Sequence, residues 1–177
     1  MRSLLKFFEK GIIMNIFYLH HYPKIAASMH CDKHCVKMIL ETAQLLSTAH
    51  RELDGDGYAD VAGMYKSTHK NHPSAVWVRA SRKHYRWAYD LFVELCKEYT
   101  HRYGKVHKTE QKLMSVLKNY PDNCPNVAWS QPPQCMPDQY KQHPNFAVKA
   151  YRDYIVNEKI SFATKYTNRE APSWISA

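Results

Sequence analysis

Glycine is scarce, with 5 in 177 residues. None of the five falls in a G-x-x-x-x-G-K or G-x-G-x-x-G pattern, so the phosphate-cradling loops of P-loop and dinucleotide-binding proteins are missing. The G-x-S-x-G elbow of serine hydrolases is missing too. Kinase, Rossmann and serine-hydrolase chemistries are therefore excluded. No period recurs along the chain, which removes collagen-like, coiled-coil and repeat architectures. No run approaches the roughly 18 apolar residues that a membrane-spanning helix needs. The N-terminal stretch Leu4, Leu5, Phe7, Phe8, Ile12, Ile13 is interrupted by Lys6, Glu9 and Lys10 and is followed by no small-residue cleavage site, unlike a signal peptide. The cysteines number 5, and Cys31 and Cys35 are spaced too widely for a C-x-x-C redox or zinc pair. An odd, scattered set argues against a disulfide framework and for a cytoplasmic protein.

What is present points to a helical protein with a polar partner. Hydrophobic residues make up 45% and aromatics 13%, enough for a sizeable core in a single domain. Lys plus Arg (25) exceed Asp plus Glu (16) by 9, which makes nucleic acid the leading partner class. Eleven His and 13 Tyr add groups that bond and stack.

Met14 opens the apolar run Met-Asn-Ile-Phe-Tyr-Leu, read as a short strand or extended segment ending at His20-His21, and residues 1–13 read as an upstream-start extension of a domain covering 14–177. The longest helical pattern runs from Pro23, tolerated in a first turn, to about Arg51. Leu53 to Gly63, with its Asp-Gly-Asp-Gly, reads as a loop. A second long helix spans about Pro73 to Tyr103, broken near Ser81 and closed by Gly104. Its stripe Tyr85, Ala88, Leu91, Phe92, Leu95, Cys96, Tyr99, Tyr103 should pack on the first helix. A shorter helix follows Thr109 as far as Asn119. Pro121 to Pro144 holds six prolines and Trp129, a long ordered loop or lid. A last helix from about Asn145 to Lys165 presents Tyr151, Tyr154, Ile155 and Phe162. The expected fold is all-α: one compact domain of about four helices with a long proline-rich loop.

The first helix carries apolar residues around most of its circumference, as a helix surrounded by protein does. The remainder, His30, His34, Lys37, Glu41, Gln44 and Thr48, advance by four, three, four, three and four and line up on one face. A solvated strip with an ordinary Lys37–Glu41 pair is the plain alternative. Such strips are normally built from Lys, Glu and Arg, whereas this one begins His-Cys-Asp-Lys-His at residue 30. Carboxylate, amine and imidazole on one face suit general acid–base work or phosphate recognition. His30 and His34 also have a two-histidine metal spacing. Cys31 stands where a zincin has Glu, no third ligand is identifiable, and Lys33 and Lys37 would repel a cation, so no metal is expected.

Beyond this helix, Lys66, His69, Lys70, Asn71 and His72 run into the start of the second helix, where free N–H groups could seat a phosphate, with Arg79 on that helix. A solvated connector with a capping His is the bland alternative. Trp129 and Trp174 either stack on a base or, more commonly for such residues, pack loops on the body.

Asn71-His72-Pro73, the helix with Tyr85, Leu91, Glu94, Leu95 and Tyr103-Gly104, and the segment Ala150-Tyr151-Arg152 through Asn157-Glu158-Lys159-Ile160 followed by Pro172-Ser173-Trp174 together resemble the phage pyrimidine-dimer DNA glycosylases of the endonuclease V type, over about half the chain. His30-Cys-Asp-Lys-His34 is similar to a feature of tailed-phage proteins that begin near Met14. The resemblance implies a helical protein that binds double-stranded DNA, flips a nucleotide, breaks a glycosidic bond and cleaves at the abasic site, without a cofactor, in the host cytoplasm if the chain is phage-encoded. The family nucleophile is the α-amine of the processed N-terminus, assisted by a glutamate and arginines of the first long helix. Glu41 is the only acidic residue of the polar stripe and the candidate for that glutamate. Asn15 is large for the second residue of a processed start, so Lys33 or Lys37 becomes an alternative amine. The candidate catalytic set is Glu41, Lys37, Lys33, His30 and His34. Gln44, Lys66, Lys70, Asn71, His72, Arg79 and Trp174 would contact substrate. A binding module with the fold but without the chemistry is the competing reading.

Overall fold

Prolines and short polar side chains set where the helices of this chain start and stop. The computed structural model describes residues 14–161 and 163–175; the proposed extension 1–13 and the apolar position Phe162 lie outside them. Among the described residues there are seven α-helices and no strand: α1 (Pro23–Ser28), α2 (Asp32–Asp54), α3 (Asp56–Val61), α4 (Pro73–Ala80), α5 (Arg82–Tyr103), α6 (Lys108–Leu113) and α7 (Ala147–Tyr154). The all-α single domain is as expected, built from more and shorter helices.

The first long helix is really two. Pro23 starts α1, the chain leaves helical geometry after Met29, and Cys31, extended at φ −65° and ψ 164°, caps α2. Tertiary partners satisfy the groups freed at this junction: Arg102 donates to the Ser28 carbonyl at 3.2 Å, and the Asp32 amide donates to Lys165 O at 2.9 Å. His30 therefore sits in the junction and not on the helix that carries His34.

The expected break at Ser81 is present. Its hydroxyl accepts from the Lys83 amide at 3.3 Å and donates to Val127 O at 2.9 Å, separating α4 from α5 while tying both to the proline-rich segment. Gly104, at φ 63° and ψ 24°, closes α5 with its amide on Thr100 O at 2.8 Å. Within the stretch read as a loop, Asp56–Val61 forms α3 instead, Gly55 capping both it and α2. Arg51 holds α3 with ion pairs to Asp56 at 2.6 Å and Asp60 at 2.8 Å, a stabilisation that local sequence does not display.

α2 is the central element and packs chiefly on α5, then on α4. Leu91, Phe92, Leu95 and Cys96 of α5 meet it fully buried, each large side chain contributing about 1.5–3 kcal/mol of burial. The run from Met14 to Leu19 is buried throughout but forms no strand. Between α6 and α7 the proline-rich segment has only 3-10 turns, and Trp129 packs edge-on against Trp77 and His84. α7 is much shorter than the expected Asn145–Lys165 helix and passes into a π-turn over Ile155–Lys159. Tyr151, Tyr154 and Ile155 face the core as anticipated.

Candidate active site around Glu41

The buried N-terminal run carries one amide residue, Asn15, and both ends of its side chain are engaged. Its amide group donates to Cys135 O at 3.0 Å, while Oδ1 accepts from the Ile16 amide and the Tyr151 hydroxyl, each at 2.8 Å. With the side chain so held, the Asn15 backbone N–H faces the Glu41 carboxylate closely enough to lower its pKa. Lys37, one turn earlier on α2, reaches the same carboxylate at 3.2 Å. Glu41 is only 5% exposed, and its Oε2 has no hydrogen-bond partner among the described residues. Burial raises its carboxyl above the usual range, against the lowering effects of Lys37, the Asn15 amide and His69. A carboxyl in that condition holds a proton more readily than an exposed one, as acid–base work requires.

The two histidines of the stripe are neutral. His34 is stacked on Phe17 with centroids 4.3 Å apart, and burial, followed by the charges of His30, Lys159, Lys37 and Lys33, lowers it to about 3. Burial lowers His30 to about 4. Its Nδ1 lies 2.7 Å from Ala26 O, which can only accept, so Nδ1 carries the proton and Nε2 is the bare nitrogen. Nε2 has no partner among the described residues. Neutral rings against Phe17 make these histidines apolar walls or acceptors, and no group of three or more His, Cys, Asp or Glu among the described residues is arranged to hold a metal ion.

Lys33 and Lys37 lie on the exposed side of α2, with Val36 and Leu40 between and after them; Gln44, the next turn on, is half-buried. Lys159 joins them from the π-turn, 8% exposed, with Nζ 5.3 Å from the Tyr154 ring centroid. Burial lowers its ammonium, Glu158 raises it, and Lys37 and Lys33 lower it further. Sequence reading missed Lys159 and Asn15. The lone amide residue in the Met14–Leu19 run was the available sign for Asn15. Lys159 has none, because its neighbours Asn157 and Glu158 look like an ordinary solvated helix end.

The predicted phosphate seat is assembled differently. Lys66 pairs with Asp60 at 2.7 Å and Lys70 with Glu52 at 3.6 Å. His72 caps α4 by accepting from the Ser74 amide at 3.2 Å, the bland reading of that residue. Arg79 donates to Lys70 O at 2.6 Å, and Asn71 is exposed. This loop runs beside α2, since the Thr68 amide donates to Thr48 Oγ1 at 3.2 Å, and His69 acts electrostatically on Glu41. Trp174 is half-buried with the Arg152 guanidinium 5.5 Å from its ring, where it packs the tail on α7.

The family profile of the pyrimidine dimer DNA glycosylases matches residues 14–112. The chain belongs to that family. The matched region begins at Met14 and contains the buried N-terminal run, all of α2, the basic loop, α4 and α5; α7 and Lys159 lie beyond it. Searches of curated proteins and of solved structures returned no match. Membership implies a DNA substrate and glycosylase-type chemistry, and among the described residues no helix is long and apolar enough to cross a membrane.

Proposed function

We propose that this protein is a DNA glycosylase with lyase activity that removes a damaged or modified base from double-stranded DNA in the cytoplasm. The observation that carries the reading is a buried Glu41 carboxylate that pairs with Lys37 Nζ at 3.2 Å, feels the Asn15 backbone N–H, and has an Oε2 without a hydrogen-bond partner among the described residues. An amine here attacks C1′ of the deoxyribose as the bond to the base breaks, and the base leaves with the electron pair and gains a proton. Opening of the sugar, with O4′ taking a proton, gives the imine; loss of a C2′ proton then forms the C2′–C3′ double bond as the C3′–O bond breaks and the 3′ phosphate leaves. Glu41 supplies and collects these protons. In a protein translated from Met14, removal of that residue, which the large Asn15 disfavours, would turn the Asn15 nitrogen that acts on Glu41 into a free α-amine. The start of the family match at residue 14 supports that start point. Lys37 and Lys33 are the side-chain alternatives, neutral His30 and His34 line the centre, and Gln44 lies one turn along. Lys66, Lys70, Asn71, His72 and Arg79 track phosphate, and Trp174, packed by Arg152, reaches substrate from the tail. The reaction needs no metal or cofactor.

The test is borohydride trapping on an abasic-site duplex, using protein expressed from Met1 and from Met14, with mass spectrometry of the cross-linked peptide. An adduct on Asn15, Lys37 or Lys33 supports imine chemistry and names the amine. Base release without an adduct reduces the reading to a monofunctional glycosylase. Salt-sensitive duplex binding with neither product makes the protein a binding module on a glycosylase fold.

A further inference from the structure

A separate cleft of about 530 Å³ opens where the start of α1 meets the first turns of α5 and the proline-rich segment, lined by Tyr18, His21, Tyr22, Trp87 and Trp129 together with Arg82, Lys83, Arg86 and Asp90. The catalytic proposal uses none of these residues. Two features define what fits. First, the aromatic walls are preorganised. Trp87 lies 4.9 Å from Tyr18 between ring centroids and donates Nε1 to His21 O at 2.8 Å. Trp129 is held edge-on by Trp77 and His84 yet stays 40% exposed. An indole that is fixed by two perpendicular neighbours and still open to solvent is a stacking platform whose ordering cost is already met by the fold. Second, the charge is lopsided. Arg82, Lys83 and Arg86 fall at one-, three- and four-residue spacings on one rim of the cleft against a single carboxylate, Asp90. Arg82 is anchored by a 2.9 Å bond to Cys124 O and by the Tyr120 ring, while Lys83 and Arg86 are exposed. An aromatic cage for a methylated ammonium would not surround itself with three cations. A planar, anionic ligand suits it.

We propose that this cleft binds a nucleotide unit, its base against Trp129 and Trp87 and its phosphate on Lys83, Arg86 and Arg82. Asp90 then accepts from a ring or amino N–H of the base. Two sources offer this chemistry, a free nucleoside monophosphate and a nucleotide within a single strand, and base stacking on aromatics serves both.

Tryptophan fluorescence of the full chain is titrated with a deoxynucleoside 5′-monophosphate, with the same nucleoside lacking phosphate, and with a single-stranded pentanucleotide. Saturable quenching is expected, at least tenfold weaker for the nucleoside and for both Trp129→Ala and the exposed-surface double variant Lys83→Glu/Arg86→Glu, with circular dichroism unchanged. Equal affinity for the mononucleotide and the pentanucleotide assigns the free nucleotide as ligand; quenching by the pentanucleotide alone assigns the strand. Absence of saturable quenching with both, or quenching that the double variant leaves unchanged, overturns the proposal. Glu41→Gln should leave the titration unaltered, so failure of the cleft and failure of the catalytic reading are separately visible.

Discussion

Asp32 and Glu41 sit on the same helix, 8% and 5% exposed, and meet opposite fates. Asp32 is saturated with donors: Arg102 Nη1 at 3.0 Å, the Thr167 amide at 2.9 Å and the Thr167 hydroxyl at 2.6 Å. Burial would raise its carboxyl, but these bonds outweigh it and hold the group below the usual range. Glu98 shares Arg102 at 2.8 Å and takes Arg169 at 2.7 Å, with the same outcome. Glu41 pairs with Lys37, has one oxygen without a hydrogen-bond partner among the described residues, and is raised. A buried carboxylate with donors on both oxygens can do little but brace the fold, whereas one with an oxygen lacking a donor has capacity for a substrate proton. The difference separates the brace of this molecule from its candidate chemistry.

Substitution at each centre should give opposite signatures. Glu41→Gln is expected to lower base excision on lesion-bearing duplex by about 10²–10⁴-fold, the range for removing a general acid–base group, while duplex affinity and melting temperature hold; retained activity removes Glu41 from the mechanism. Arg102→Ala should cost about 3–5 kcal/mol by urea unfolding, because Asp32 and Glu98 then stay buried without their shared cation. A loss near 1 kcal/mol would mean that the brace is solvated in the folded protein.

The pH dependence sharpens the contrast. Asp32 and Glu98 have lowered folded pKa values, so the stability they contribute is present above the ordinary carboxylate range and is lost as pH falls through those lowered values. Glu41 has the opposite sign. Its raised carboxyl contributes stability that is complete below the ordinary value and lost as pH rises through the folded one. Glu41→Gln should therefore be at least as stable as wild type at pH 7, with the gap shrinking at pH 4 in paired urea titrations. His30 and His34, at about 4 and about 3, add a third trend: an unfolded histidine takes its proton near pH 6.5, so stability should decline from there downward. The smallest effect is expected at the exposed Lys66–Asp60 pair. Lys66→Ala should change stability by less than about 0.5 kcal/mol, yet reduce the salt slope of duplex binding by about one if Lys66 meets phosphate.

The stripe on the first helix was legible because side-chain spacing at three and four residues is a local property of a helix. It gathered Lys37, Glu41 and Gln44 correctly along α2. It misplaced His30, whose helix ends because Arg102, Lys165 and Thr167, all distant in sequence, satisfy the junction. The same blindness hid α3, which Arg51 holds in a stretch whose glycines read as a loop. Lys66 and Lys70 looked like a free basic seat because their carboxylate partners, Asp60 and Glu52, were read as parts of other elements.

Periodicity, composition and the scarcity of glycine by themselves determined that the chain is helical, basic and devoid of the nucleotide-cradling loops of other enzyme classes. They also set the α5 face that packs on α2 and the stops at Ser81 and Gly104, since these depend on residues within a turn or two. Tertiary structure alone decided that the Asn15 N–H acts on Glu41, that Lys159 joins the cationic side of α2, and that Trp129 and Trp87 share a cleft with Arg86. Burial, and with it the direction in which each carboxyl, imidazole and amine titrates, depends on the atoms that pack around a group from every direction, and most of those come from far along the chain.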